Sequence, residues 1–490
     1  MTRCVSSRAR GALVLVAALL GAGVGSCQHD FGFLRDSARN PADAAGASGL
    51  FGEGGAPMSS AGSDAGAFSG TAAHGGDGGA SAGGKDAVAA GGQGAGAMAA
   101  GGGAAAGDAG AGGEPPSGAP PTFHALAVGN DFACFIFHGK VRCWGANDVG
   151  QLGAGFVDDA FPQGFVAVVE QTPTGDAPIS DAQAVSAGDS YACALRQGSV
   201  WCWGNGPNGE LGPGLTQSSR AVQVQGAPGN IRQISTGGDH ACVRTASQFA
   251  CWGGNDSAQI SSSLVEPRLG VTQPANVANV VDLALDWWTS LVRRDDGSVL
   301  CWGQDNAQQC VGQVSGDCPL APGDHCVLKP GVLAALAGSQ YLAAGGEHAC
   351  ARDAAGKVRC WGLNNTGEAG SAPTADCFAN DPGNCVVGPT EVPEAFGAEQ
   401  LALGSSHTCA LVQGRVLCWG ASNILGRSLA SEGFGPPAAV INGERAELGS
   451  ITEIASFGTL TCAFDGGLVS CWGLAHGEYF STAESVPAGQ

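Results

Sequence analysis

The chain has 490 residues, of which 83 are Gly and only 13% are charged, and its 43 acidic against 22 basic residues give a net charge of −21. A chain so rich in glycine builds a core smaller than its length suggests, and a chain so acidic is repelled by phosphate backbones. Its four lysines, Lys85, Lys140, Lys329 and Lys357, assemble no basic stripe, so no nucleic-acid partner is expected.

At the start of the chain, Arg3, Arg8 and Arg10 precede an apolar run from Gly11 to Leu20 and then small residues ending at Val24-Gly25-Ser26-Cys27. That order of positive, apolar and small residues reads as a secretory signal over 1–26. The apolar run is shorter than the roughly 20 residues a spanning helix needs. Val24 to Cys27 also resemble a bacterial lipobox, which implies acylation of Cys27 and a membrane attachment through that lipid alone. An ordinary signal peptide cut nearby, leaving a secreted protein, is the alternative. The expected location is outside the cytoplasm, at the outer membrane or cell surface. Loss of the signal's three arginines leaves 19 basic against 43 acidic residues, a charge of −24.

Residues 27–121 are expected to form a tether. From about Asp36 to Pro121 the composition is almost entirely Gly, Ala, Ser, Asp and Pro without apolar periodicity, so the segment cannot offset its ordering entropy and should stay disordered. As a flexible coil, such a length reaches roughly 50 Å, enough to hold a domain clear of a membrane.

Over 122–490 the triplet Cys-Trp-Gly recurs seven times, its cysteines being Cys143, Cys202, Cys251, Cys301, Cys360, Cys418 and Cys471, spaced 59, 49, 50, 59, 58 and 53 residues apart. A period near 50 residues points to a propeller or solenoid. Six copies carry a second Cys upstream, pairing Cys134 with Cys143, Cys193 with Cys202, Cys242 with Cys251, Cys350 with Cys360, Cys409 with Cys418 and Cys462 with Cys471. Five of these pairs are nine residues apart and flank turns such as His138-Gly139, Gln197-Gly198, Gln413-Gly414 and Gly466-Gly467. Two strands meeting at a two-residue turn bring such cysteines opposite each other at a non-hydrogen-bonded site, about 4.5 Å between Cα atoms, which a disulfide tolerates. The Cys350–Cys360 pair is ten apart, absorbed by a three-residue loop ending at Gly356. An oxidising compartment makes pairing the default. Zinc would need four ligands at one point, whereas these pairs belong to separate hairpins, so no metal or cofactor is expected. Each triplet's Trp faces away from its Cys and is free to pack on the next repeat.

The phrase Gly-x-x-His-x-Cys, seen at Gly237 to Cys242, Gly345 to Cys350 and Gly404 to Cys409, is followed by Cys-Trp-Gly-x-Asn-x-x-Gly-Gln-Leu-Gly, seen whole from Cys143 to Gly153. This pattern resembles the regulator of chromosome condensation repeat. The resemblance implies an all-β fold, a seven-bladed propeller of four-stranded blades. Nuclear members of that family exchange guanine nucleotide on a small GTPase and dock on chromatin, partners that an exported, disulfide-bonded chain does not meet. Some secreted bacterial propellers that look similar inhibit β-lactamases.

His240, His348 and His407 each stand two residues before a Cys, where other copies place Phe132, Tyr191, Trp288 and Leu460, a tolerance that reads as structural. Asp131, Asp239 and Glu347 recur one residue earlier and are expected to hold turns. No Ser/His/Asp set, phosphate loop or isolated carboxylate pair stands apart from the repeat, so no catalytic residue is assigned. After the fourth and fifth triplets come longer insertions in which Cys318 is expected to pair with Cys326 and Cys377 with Cys385, each with seven residues between. They read as two copies of one stapled loop. Asp324, His325, Lys329, Phe378, Asn380 and Asp381 are the residues expected to be exposed there as a binding surface. Calcium at the loop aspartates is the metal alternative, without the ligand spacing of an EF-hand.

In the fourth repeat, Ser290 is expected opposite Cys301, which leaves that cysteine without a hairpin partner. With Cys4 in the signal and Cys27 on lipid, Cys301 should pair with Cys310; two free thiols are the alternative. The function expected is non-enzymatic recognition of a protein or glycan at the cell surface through propeller loops. Inhibition or regulation of a secreted enzyme is the alternative, and enzyme activity the third reading.

Overall fold

A computed structural model describes residues 124–158, 164–261, 266, 268–313, 315–378, 381–427, 434–442, 444–475 and 478–487. The signal, Cys27 and the tether lie outside the described residues. The strands form seven separate sheets whose antiparallel cores span 126–167, 182–223, 233–272, 280–332, 339–391, 400–439 and 453–487, called blades 1 to 7 below. The protein is a seven-bladed β-propeller.

Blade 2 shows the plan. Its innermost strand, Ala182–Ala187, pairs with Tyr191–Arg196, which pairs with Ser199–Asn205, which pairs with the outer strand Gln217–Gln223. The second and third strands meet at Gln197-Gly198, both at positive φ (49° and 73°), the two-residue turn whose twist matches that of the strands. Cys193 stands opposite Cys202 in the register, with Cα atoms 4.0 Å apart. All six hairpin disulfides have Cα separations of 4.0 or 4.1 Å.

Five of the seven blade seams are fastened by the same backbone bond. The first residues of a blade donate an N–H to the turn of the blade before: Ala182 to the Gly139 carbonyl (3.0 Å), Ile231 to Gly198 (3.1 Å), Gly338 to Gly297 (3.2 Å), Gly397 to Gly356 (2.7 Å) and Ile451 to Gly414 (3.0 Å). This face, carrying the hairpin turns and blade connections, is the turn face. The opposite face carries the bends after the innermost strands and the loops after each Cys-Trp-Gly triplet, and is the bend face.

No strand is exchanged to close the ring, since blades 1 and 7 each supply all four of their own strands. Closure is by packing: Leu126, Val128 and Phe135 of blade 1 share one buried cluster with Leu460, Cys462 and Val469 of blade 7. Glu453 of blade 7 adds a polar clasp, accepting from the Ala125 N–H at 3.1 Å and lying 3.3 Å from His124 Nδ1. Blade 2 is enlarged by the connection that precedes it. A hairpin of Val169–Thr172 and Gly175–Pro178 adds to its outer strand, held by a two-pronged Arg220–Asp176 pair at 2.7 and 2.8 Å and by Arg196–Glu170 at 2.7 Å.

Blade 4 corrects two registers. Leu291, not Ser290, is opposite Cys301, and Ser290 pairs with Trp302. The reason is the turn: Arg294 donates to Ser298 around a three-residue loop, so the position facing Cys301 lies ten residues back, as in the Cys350–Cys360 hairpin. By the same shift, Thr289 rather than Trp288 occupies the position of His240, His348 and His407, since it faces Gly303 as they face their triplet glycines. Cys301 is bonded to Cys310 across a Cα separation of 5.3 Å, the chain turning back after Gln304.

Candidate functional site

The repeated residues are spent on holding the blades together. In the loop after the triplet, the Asn147 side chain accepts from the Leu152 N–H, and Asn255 and Asn364 do the same for Ile260 and Ala369. The residue written as Gln or Glu folds its side chain back on the same loop, Gln151 onto the Val149 N–H, Glu210 onto Asn208 and Gln309 onto Ala307. Its backbone carbonyl is thereby aimed at the next blade, where the triplet Trp donates to it: Trp203 to Gln151 (3.0 Å), Trp252 to Glu210 (2.7 Å), Trp361 to Gln309 (2.7 Å) and Trp419 to Glu368 (2.9 Å).

The three histidines join the same seams. His240 Nε2 lies 3.0 Å from Ser290 Oγ and His348 Nε2 lies 2.7 Å from Thr408 Oγ1. Those hydroxyls donate onward to the carbonyls of Gln259 and Glu368, so each accepts from an Nε2–H of a neutral imidazole. Burial pushes the three rings well below the ordinary histidine value, to about 3 for His240 and His407 and about 4 for His348. A ring that stays neutral, sealed and bonded across a blade seam is structural.

The stapled loops stand clear of this framework. In blade 4, Gly316–Asp317 pairs with the start of His325–Val332, closed by Cys318–Cys326; in blade 5, Ala375–Phe378 pairs with Asp381–Glu391, closed by Cys377–Cys385. Both are short hairpins hung on the outer strand. They are copies in detail: the Asp305 N–H donates to the His325 carbonyl and that of Asn364 to Asn384, while Asn306 Oδ1 accepts from the His325 N–H and Asn365 Oδ1 from Asn384. Each also rests on the preceding blade, Cys326 Sγ lying 3.1 Å from the Ser257 carbonyl oxygen and Cys385 Sγ 3.4 Å from that of Ala307. A disulfide sulfur carries no hydrogen, so these are packing contacts.

His325 and Lys329 are exposed, and Leu320 and Val387 add exposed apolar side chains to the same two hairpins. Asp324 departs from the expectation of exposure: it is half-buried, its Oδ1 accepting from Asn306 Nδ2 at 3.1 Å, because it anchors the base of the hairpin. Phe378 and Asp381 lie on the paired strands, and Asn380 lies outside the described residues.

The bend face holds a further constellation that sequence patterns did not single out. A channel of about 160 Å³ runs between the innermost strands. At its mouth, Trp287 of blade 4 packs on Phe457 of blade 7, ring centroids 4.9 Å apart, so the indole spans the opening. The signal was available as a break in the repeat: Asp286-Trp287-Trp288 stands where five other copies have Gly followed by small or polar residues, and the seventh has Phe457-Gly458-Thr459. Around the mouth run half-buried Asp131, Asp189, Asp239 and Glu347 together with buried Asp286. Their bends are stitched together by Asn130 N–H to the Asp189 carbonyl, Asp189 N–H to Gly238, and Glu347 N–H to Asp286 Oδ2. Burial first, and then like charges nearby, raises Asp239 to about 7 and Glu347 to about 7, and burial raises Asp286 to about 6. Among the described residues no group of three or more His, Cys, Asp or Glu side chains is arranged to hold a metal ion.

Two stretches, residues 197–244 and 341–368, match the regulator of chromosome condensation (RCC1) repeat. Protein RCC1 of Candida albicans is 37% identical over 84 residues, 16% of this chain and 18% of that protein, so the chain matches less than a fifth of that relative's length. The structure of Prp20p from Saccharomyces cerevisiae, described with its binding properties to Gsp1p and histones, superposes with a TM-score of 0.54 at 20% identity over 68% of this chain and 80% of that one. Yeast RCC1 (Prp20) bound to Kap60 gives 0.55 at 17% identity over 76% and 89%, and human WBSCR16 gives 0.51 at 20% over 68% and 84%. At these identities the likeness shows the fold alone.

Proposed function

This chain is a seven-bladed propeller of regulator of chromosome condensation repeats, and we propose that it acts as a non-enzymatic recognition module, held at the cell surface by lipid on Cys27. The fold is that of a protein-interaction module. The observation that carries the reading is the pair of equivalent disulfide-closed hairpins on neighbouring blades, with exposed Leu320 and His325 on the first and exposed Lys329 and Val387 on the outer strands that carry them. Loops on a rigid scaffold are where recognition concentrates, and closing them beforehand lowers the ordering cost of binding. The chain's net charge of −21 favours a partner protein with a basic surface, engaged more weakly as salt rises. Among the described residues, the Asn, Gln or Glu, Trp and His positions named above that recur in the repeat are bonded within or between blades, which supports a scaffold role for them.

The test is capture by the full chain compared with a chain whose loop tips, 319–323 and 379–383, are replaced by Gly and Ser with all cysteines kept. A partner protein retained by the first and lost by the second supports the reading, and a stoichiometric secreted enzyme among those captured would specify inhibition as the role. Equal capture by both chains would overturn it, as would retention of a surface glycan alone, which would change the partner class.

A further inference from the structure

On the turn face, opposite the stapled loops, a cleft of about 670 Å³ opens between blades 2 and 3. That volume falls in the range of small-ligand sites. Three segments wall it: the Gln197-Gly198 turn, the connection 229–232, and the turn at 245–248, with Gln183 at the base of blade 2's innermost strand. Their frame is fixed. The Ile231 N–H donates to the Gly198 carbonyl, the Arg232 N–H to that of Arg244, and Thr245 Oγ1 accepts from the N–H groups of Ser247 and Gln248.

The chemistry of the lining is unlike that of the chain as a whole. In a protein of net charge −21, the cleft is walled by amides, hydroxyls and one guanidinium, with no carboxylate. Arg244 lies near Arg232 and also near Asp282, so Arg232 supplies the charge of the cleft lining. Among the described residues the side chains of Gln183, Asn230, Arg232 and Gln248 have no hydrogen-bond or ion-pair partner, and all four are exposed. Apolar contact is scarce: Ile231 is buried beneath the floor, and Ala246 is the one exposed apolar side chain in the lining.

We propose that this cleft is a binding site for an oligosaccharide bearing uronic-acid carboxylates. Each amide offers a donor and an acceptor, which suits neighbouring ring hydroxyls, and the Arg232 fork suits a carboxylate. A peptide would bring side chains for which the lining has no apolar wall. This site is independent of the stapled loops and of the protein partner proposed for them.

Calorimetric titration of the full chain with a galacturonic acid tetramer tests it, with maltotetraose as the neutral control and tetraglutamate as the peptide control. The uronate tetramer should bind, and the two controls should bind at least about tenfold more weakly. Arg232→Ala should weaken uronate binding about tenfold, the size of one charge-assisted hydrogen bond. The double variant Gln183→Ala with Gln248→Ala should weaken it by a similar factor, and all these side chains are exposed, so near-ultraviolet circular dichroism should be unchanged. No binding of the uronate tetramer, binding indifferent to both variants, or equal affinity for either control would overturn the proposal. Substitutions at the stapled loops should leave uronate binding untouched, so failure here is separable from failure of the recognition reading.

Discussion

Trp361 of blade 5 donates its indole N–H to the backbone carbonyl of Gln309 in blade 4 at 2.7 Å, whereas Trp302, the same residue one blade earlier, has no partner for its buried N–H. The two tryptophans therefore separate the worth of packing from the worth of the bond. Trp361→Phe should cost about 1 kcal/mol more than Trp302→Phe, since both lose the same indole volume but only the first strands a buried carbonyl. Denaturant unfolding of the two variants measures this, and equal losses would show that the bond contributes nothing to the seam.

In blade 4 Leu291 occupies the position facing Cys301, and the disulfide joins Cys301 to Cys310 instead. Removing that link with Cys301→Ser and Cys310→Ser should cost about 2 to 3 kcal/mol on the chain-entropy estimate for a loop of this size. Leu291→Cys combined with Cys310→Ser should restore the hairpin link, because the backbone register there matches that of blade 5. Non-reducing mass mapping would show the introduced cysteine joined to Cys301. Alkylation of Cys301 in that variant without prior reduction would contradict the register.

Stability should depend on pH in two limbs of opposite sign. Asp239, Glu347 and Glu210 are raised by burial to about 7, 7 and 8, so the folded chain binds their protons before the unfolded chain does, and stability rises as pH falls from 8 towards 6. His240, His348 and His407 are lowered to about 3, 4 and 3, so below the ordinary histidine value the unfolded chain takes up protons that the folded chain refuses. Once the carboxyl contribution levels off near pH 4, the histidines should dominate and stability should fall. Thermal unfolding across this range reads both limbs. His240→Phe, which places there the residue type found at Phe132, should flatten the acid limb, because its folded value of about 3 lies within that limb, and an unchanged slope would refute the assignment of that limb to the buried rings.

The fold was legible where the chemistry repeats. Nine-residue cysteine spacing and an x-Gly turn fix a hairpin locally, and a hairpin brings its own register. Blade 4 was misread by one residue because placing Ser290 opposite Cys301 takes a loop of four residues around Asp295-Asp296-Gly297, and a loop of three looks the same until the Arg294 to Ser298 bond is seen. The ring closure through Glu453 and the hairpin added to blade 2 were not legible, since both depend on segments hundreds or tens of residues apart meeting in space. At the stapled loops the cysteines announced the hairpins, but the inward turn of Asp324 follows from Asn306, eighteen residues earlier, which no local pattern reveals. Trp287 escaped notice because a repeat search rewards sameness, and its role at the channel mouth lies in being different.

Attachment rests on Cys27 and the apolar run before it. The full chain, made in a bacterium that processes lipoproteins, should partition into the detergent phase, and Cys27→Ser should move it to the aqueous phase. A Cys27→Ser chain that stays equally membrane-bound would remove the lipid anchor.

Site-specific photocrosslinking on living cells tests the recognition reading most directly. A photoreactive residue in place of His325, on the stapled hairpin of blade 4, is compared with one in place of Gln413, an exposed turn residue of blade 6 on the opposite face. Recognition through the bend face predicts a discrete crosslinked protein from position 325, weakened by added salt, and none from position 413. The same crosslinked protein from both positions, or from position 413 alone, would contradict it.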